Sequence, residues 1–233
     1  LYIDTNADWR RALSLTLDSV RSEAGRAGAN TILFRDLSKD QVQIGQLLID
    51  EGFASSPLPN TMVIALRGSE EAWLADLSGR QRRFIRREVY PKCNDWTVRI
   101  IDHTQTIDAQ TLTQINKLYQ QVKGRSYKLN SFSIPSDLLA TLSRSPGWEI
   151  LLLYPRDHQT GQTSGQPAAM GICFRGKSHY VPLLAGLDYA YVKSHGAYRQ
   201  LLYRMVKRAL ALGHNRVHMG LDAELEKRRM GAR

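Results

Sequence analysis

The 233 residues carry 32 Lys and Arg against 22 Asp and Glu, a formal net charge of +10, with 42% hydrophobic and 23% charged residues. Such a chain fits one large globular domain or two small ones; no apolar run approaches the roughly 20 residues of a membrane helix, no signal peptide is visible, and two well-separated cysteines, Cys93 and Cys173, indicate neither a disulfide framework nor a thiolate metal site. The charge implies attraction to a polyanion, which nucleic acid, a membrane surface or a phosphorylated cofactor could each supply, and the cysteine usage reads as a reducing, cytoplasmic compartment.

In chain order, Trp9, Leu13, Leu17 and Val20 form one helical stripe closed by Gly28, followed by an apolar strand, NTILFRDL. A second helix, begun by Ser38 and stopped by Gly52, precedes a second strand, PNTMVIAL. Ser69 caps a helix running to Pro91, with Glu70 and Glu71 in its first turn and arginines in its last, as the helix dipole prefers. WTVRIID reads as a strand, IDAQTLTQINKLYQQVKGRS and PSDLLATLSRS as helices, and WEILLLYPR as a strand apolar on both faces, suited to a sheet interior.

The polar DHQTGQTSGQ segment joins antiparallel strands, and PAAMGICFRGKSHYVPLLAGLD is a hairpin turning at Arg175-Gly176-Lys177, with Pro182 marking a bulge or an edge. After it come a basic amphipathic helix starting near His195 or Gly196, the strand NRVHMGLD, and a helix start, AELEKRRMG. Residues 8–67 repeat the element order of 196–231, which divides the chain into a partial lobe, 1–67, and a fuller domain, 68–233. The chain starts at Leu1 and stops at Arg233 inside a predicted helix, as expected of a piece of a longer, multidomain polypeptide.

The stretch DYAYVKSHGAYRQLLYRMVKRALALG poses the functional question, because a strand delivered into a helix N-terminus is a ready anion site. Leu201, Leu202, Met205, Val206, Ala209 and Leu210 are the expected buried face, while Lys193, Arg199, Arg204, Lys207 and Arg208 lie where a phosphate could meet them. The run RQRRFIRR reads as the solvated face of a helix with Leu77, Phe84 and Ile85 inward, or as a contact for the backbone of transfer RNA. His103, His158, His179, His195, His214 and His218 show no metal-ligand spacing.

The order of strand, AGLDYAYVKSHGAY break, helix and further apolar strand resembles the GNAT superfamily of acyltransferases. WLADLSGRQRRFIRREV, with Leu77, Ser78, Arg80, Arg83 and Arg86, together with HGAYRQLLYRMVKRALALGHNRVHMGL is similar to the branch that includes the Fem-type aminoacyl transferases. AGANTILFRDLSKDQVQIGQLLIDEGF resembles the closing half of a GNAT domain. The resemblance implies an α/β (α+β) fold, a mixed and mostly antiparallel sheet flanked by helices, built as a tandem of a partial and a fuller lobe, in which strands 181–187 and 215–221 lie side by side and splay.

It also implies an enzyme that passes an acyl group from acyl-coenzyme A directly to a small-molecule or peptide amine, with no metal. Leu187, Lys193, His195, Gly196, Ala197, Tyr198 and Arg199 would bind the cosubstrate, the pyrophosphate resting on the helix N-terminus. Lys193, Gly196 and Tyr198 fill the places of the superfamily turn, although Tyr198 stands where a small residue is usual. Gly196→Asp is expected to weaken the cosubstrate and leave the fold intact, with position 196 exposed. Glu224 as base and Asp188 as amine-orienting group are the catalytic candidates; their structural readings are Asp188 as a turn former or cap, and Glu224 with Glu226 in the first turn of a last helix capped by Asp222. An aminoacyl-transfer-RNA dependent transferase and a noncatalytic nucleic-acid-binding or partner-binding module are the alternative functions.

Overall fold

The computed structural model describes residues 8–34, 37, 41–56, 61–125, 135, 137–157 and 159–233. They fall into two compact units, divided between Leu58 and Pro59. The first holds helices α1 (Trp9–Arg26) and α2 (Val42–Asp50), whose Trp9, Leu13 and Leu17 share a buried cluster with Ile44 and Leu48. No strand forms among the described residues of 30–37, and Ser38 lies outside the described residues.

The second unit is built on a six-stranded sheet. Its strands are β1 (Met62–Ala65), β2 (Trp96–Asp102), β3 (Trp148–Pro155), β4 (Ala169–Arg175), β5 (His179–Leu187) and β6 (Arg216–Gly220), in the order β1-β6-β5-β4-β3-β2. Strand β1, expected to end the first lobe, pairs antiparallel with β6 and so belongs to this sheet, which is why the division falls before residue 59 rather than after 67. Sequence patterning cannot reveal such a pairing, because its partner lies at the far end of the chain.

Helices α5 (Ala109–Lys123) and α6 (Leu138–Arg144) cover one face of the sheet over Ile150, Leu152, Met170 and Ile172. Helix α8 (Ala197–Ala211) covers the other with the expected stripe: Leu201, Leu202, Met205, Val206 and Ala209 are buried and Leu210 is partly so. The stretch 69–90 is not one helix. Leu77 is extended (φ −76°, ψ 150°) and ends α3 (Glu70–Asp76); Ser78 and Gln81 then form a reciprocal capping box that starts α4 (Gly79–Phe84). A π turn, Ile85–Val89, and a 3₁₀ segment, Tyr90–Asp95, with Pro91 near its start follow.

The hairpin bulges beside Pro182, where Ile172 pairs with Leu184 and Cys173 with Pro182, so that Leu183 has no opposite number. Every strand pair is antiparallel except β5 and β6, which run parallel and pair only at His179 with Arg216 and Tyr180 with Val217. Beyond Tyr180 the two strands part, as expected for 181–187 and 215–221. Gly186 lets α5 close on β5: a Cβ there would stand 2.8 Å from the Leu118 backbone carbon and 2.8 Å from Met170 Cε. Gly186→Ala is accordingly expected to cost about 2 kcal/mol by overpacking, read by denaturant unfolding; a loss under about 0.5 kcal/mol would contradict this close approach.

Candidate functional site

Where β5 and β6 separate, a cavity of about 400 Å³ opens. Pro182, Leu184, Ala185 and Leu187 of β5 line one side, Met219 and Leu221 the other, and Leu202 and Met205 of α8 the floor. The backbone edges here have left their sheet partners, so N–H and C=O groups are available to a ligand. Tyr189 and Tyr198 border the cavity at the α8 end, and Asp222, Ala223 and Lys227 close the β6 end.

Helix α9 (Glu224–Arg229) follows two consecutive left-handed residues, Asp222 (φ 61°) and Ala223 (φ 48°). The expected Asp222 cap is not made: Ala223 is the N-cap and has no side chain to offer. This strained entry turns Lys227 inward, where it is 4% exposed and its ammonium donates to the Leu221 carbonyl. Burial pushes the ammonium down to about 8, against a smaller opposing pull from Asp222. Lys227 was not legible as a site residue in the sequence, where it sits among Glu, Arg and Arg like any solvated position.

The residues expected to bind a cosubstrate divide into two groups. Leu187 and Tyr198 line the cavity. Lys193, Tyr198 and Arg199 border a second hollow of about 250 Å³ together with Val192 and Glu226, at the N-terminus of α8. Ala197 is wholly buried and opens the helix. His195 is turned elsewhere: its ring meets Trp96 and Tyr191, and its carbonyl accepts from Trp96 Nε1 at 3.1 Å.

Gly196 is the left-handed N-cap of α8 (φ 64°, ψ 33°), and it is buried rather than exposed, with Lys92 Cδ 3.4 Å from where a Cβ would stand. Gly196→Asp is therefore expected to lower stability by about 1–2 kcal/mol through backbone strain alone. A thermal midpoint equal to that of the unsubstituted chain would contradict it.

The helix cations are not waiting for a phosphate. Arg199 Nε and Nη1 donate to Glu226 and Glu88 at 3.1 Å each; Arg204 donates to the Cys93 carbonyl, Lys207 to Glu70 and Arg208 to Glu149. Burial, reinforced by Glu226 and Asp222, raises the Tyr198 phenol above its ordinary range and keeps it neutral. Asp188 Oδ1 accepts from Ala190 N, serving the one-turn helix α7 (Ala190–Ser194), and Glu224 is exposed and paired with Arg228; neither borders the cavity. In RQRRFIRR, Ile85 is buried and Phe84 partly so, Leu77 before the run is buried, and Arg82 folds back onto the Ala75 and Leu77 carbonyls.

A family model described as an acetyltransferase (GNAT) domain matches residues 79–228. No curated protein matches the sequence. Among solved structures, the chain is similar to FemX, with a TM-score of 0.57 and 12% identity over 96% of this chain and 74% of that one. It is similar also to L-PGS from Bacillus licheniformis (0.50 and 13%, over 78% and 51%) and to the C-terminal domain of a putative lysylphosphatidylglycerol synthetase from Agrobacterium fabrum (0.53 and 14%, over 85% and 57%). At these identities the likeness is one of fold, and the chain spans about half the length of the L-PGS structure. With parted parallel strands, the helix N-terminus beside them and a family match over more than half of its length, the chain belongs to the GNAT acetyltransferase family.

Proposed function

We propose that the chain transfers an acyl group from a pantetheine thioester to an amine in the cavity between β5 and β6. The observation that carries the reading is the parting of a parallel strand pair over an apolar cavity whose far wall holds a buried lysine. An extended arm made of amides and methylenes suits this lining: its amides meet the released strand edge and its methylenes meet Pro182, Leu184 and Met219. The amine nitrogen attacks the thioester carbonyl, the C–N bond forms and the C–S bond breaks. The proton lost by the amine ends on the departing sulfur.

Lys227 is assigned the role of donor to the oxyanion that develops on the carbonyl oxygen. With its ammonium at about 8 it is mostly charged near neutrality, and one such donor, held on a side chain only 4% exposed, is worth roughly 10²–10³ in rate. Asp222 favours that charge. Glu224 and Asp188 have no part in this reading, because their carboxylates are engaged outside the cavity. The test is release of thiol from S-acetylpantetheine, a donor without a nucleotide, in the presence of mixed primary amines. Saturable, amine-dependent release is the expected result, and release no faster than in buffer would reject the reading.

A further inference from the structure

We infer that the acyl group arrives on a phosphopantetheine arm borne by an acidic carrier protein, which docks on the outer side of α4 and its π turn, rather than on free coenzyme A. The inference deepens the transfer reading and rests on it. Its first support is electrostatic. The hollow at the N-terminus of α8 already contains the Glu226 carboxylate, bound by Arg199 Nε at 3.1 Å, and the same arginine is held by Glu88. The guanidinium nearest the start of α8 is thus paired from within the protein, Glu226 being shared with Arg229, while Lys193 on the rim of the same hollow is exposed. Tyr198, in the place that the superfamily turn gives to a small residue, walls both this hollow and the cavity. Free coenzyme A would bring a pyrophosphate and a 3′-phosphate to this occupied seat. A carrier-borne arm brings one phosphodiester and leaves its other charges on the carrier's surface.

Those charges find their complement next door. Arg80, Arg83 and Arg87 are exposed on α4 and the π turn, and among the described residues they make no ion pair. Their element is fixed against α9 and against Arg199 at the hollow before α8. Phe84 lies under the guanidiniums of both Arg199 and Arg229, at 5.1 and 4.9 Å, and Gln81 Nε2 donates to the Arg228 carbonyl at 2.6 Å. Unpaired guanidiniums on an element packed against α9 and the start of α8 match carboxylates on a folded partner.

A nucleic acid is the weaker match, because stacking platforms are missing from the row. Phe84 is enclosed between two guanidiniums, and Tyr189 at the cavity mouth carries Arg125 at 3.7 Å. The apolar cavity walls also offer few groups to a ribose.

The experiment measures kcat/KM of the intact chain with S-acetylpantetheine, acetyl-coenzyme A, an acidic acyl carrier protein charged with an acetyl group, and alanyl-transfer RNA, each with the same amine mixture. The carrier is expected to exceed both acetyl-coenzyme A and S-acetylpantetheine at least tenfold at low salt, and to lose that advantage as salt rises. Arg80→Glu, Arg83→Glu and Arg87→Glu together should lower the carrier-to-pantetheine ratio at least tenfold, and the corresponding alanine triple should lower it less, with circular dichroism verifying the fold of each. Acetyl-coenzyme A or alanyl-transfer RNA equalling the carrier would overturn the inference, as would a ratio that the charge reversals leave unmoved. Turnover of S-acetylpantetheine with no gain on the carrier rejects the docking alone, whereas failure of every donor rejects the transfer reading beneath it.

Discussion

Glu149→Leu is expected to destabilise the sheet unit by about 3–5 kcal/mol, the cost of breaking a buried ion pair from one side. Glu149 is 0% exposed near the start of β3, just ahead of its apolar run, and it is satisfied from three elements. Tyr180 of β5 donates its hydroxyl at 2.7 Å, Arg208 of α8 donates through Nε at 3.0 Å and Nη2 at 2.8 Å, and Arg175 of β4 stands at 3.6 Å. Leucine would fill the volume but leave the wholly buried Tyr180 hydroxyl without an acceptor and Arg208 without its counter-charge. Thermal unfolding should show a midpoint roughly 10 °C lower. The double substitution Glu149→Leu with Arg208→Met should recover part of the loss, because no charge is then stranded. A loss below about 1 kcal/mol for the single substitution would mean that this network does not tie α8 to the strands beneath it.

Lys227→Met should separate stability from activity. Thiol release from S-acetylpantetheine should fall about 10²–10³-fold, since a single oxyanion donor is removed. Stability below pH 8 should hold or rise, because the native chain there carries an ammonium that folding has desolvated. The sign follows from proton linkage. The folded ammonium titrates near 8 and the unfolded one near the ordinary 10.5, so between these values the unfolded chain binds more protons and the native chain gains stability as pH rises. The gain amounts to roughly 3 kcal/mol for a shift of this size. Any stability advantage of Lys227→Met should therefore shrink between pH 8 and 10.5. Denaturation midpoints of the two proteins at pH 7 and pH 10 read the difference, and a gap that widens would contradict a buried, depressed Lys227.

What could be read from the sequence was whatever local pattern dictates. The buried stripe of α8 and the β4–β5 hairpin with its irregularity at Pro182 follow from periodicity and turn chemistry within short windows, whereas the parted strands after Tyr180 were expected only from the family resemblance. The break after Leu77 carried a signal, Ser78 followed three residues later by Gln81, but the continuous charge pattern of 70–89 reads more readily as one long helix. Non-local facts left no such trace. Glu149 meets Arg208 across 59 positions, and β1 meets β6 across most of the chain.

The candidate site divides along the same line. Leu187 and Tyr198 were expected at the cosubstrate from the family resemblance, and both border the cavity. The pairing of Arg199 with Glu88 and Glu226, which alters what the turn can bind, depends on how three separate elements meet. Lys227 turns inward because Asp222 and Ala223 adopt left-handed backbone, a conformation that neither residue advertises.

The central claim, acyl transfer between β5 and β6 with Lys227 at the carbonyl, is tested most directly by a crystal structure with S-acetonylpantetheine, in which a ketone that cannot transfer replaces the thioester. The account predicts the arm lying between residues 181–187 and 217–222, with the ketone oxygen within about 3 Å of Lys227 Nζ. An arm bound outside this cavity, or a ketone turned away from Lys227 while the cavity is filled, would contradict it.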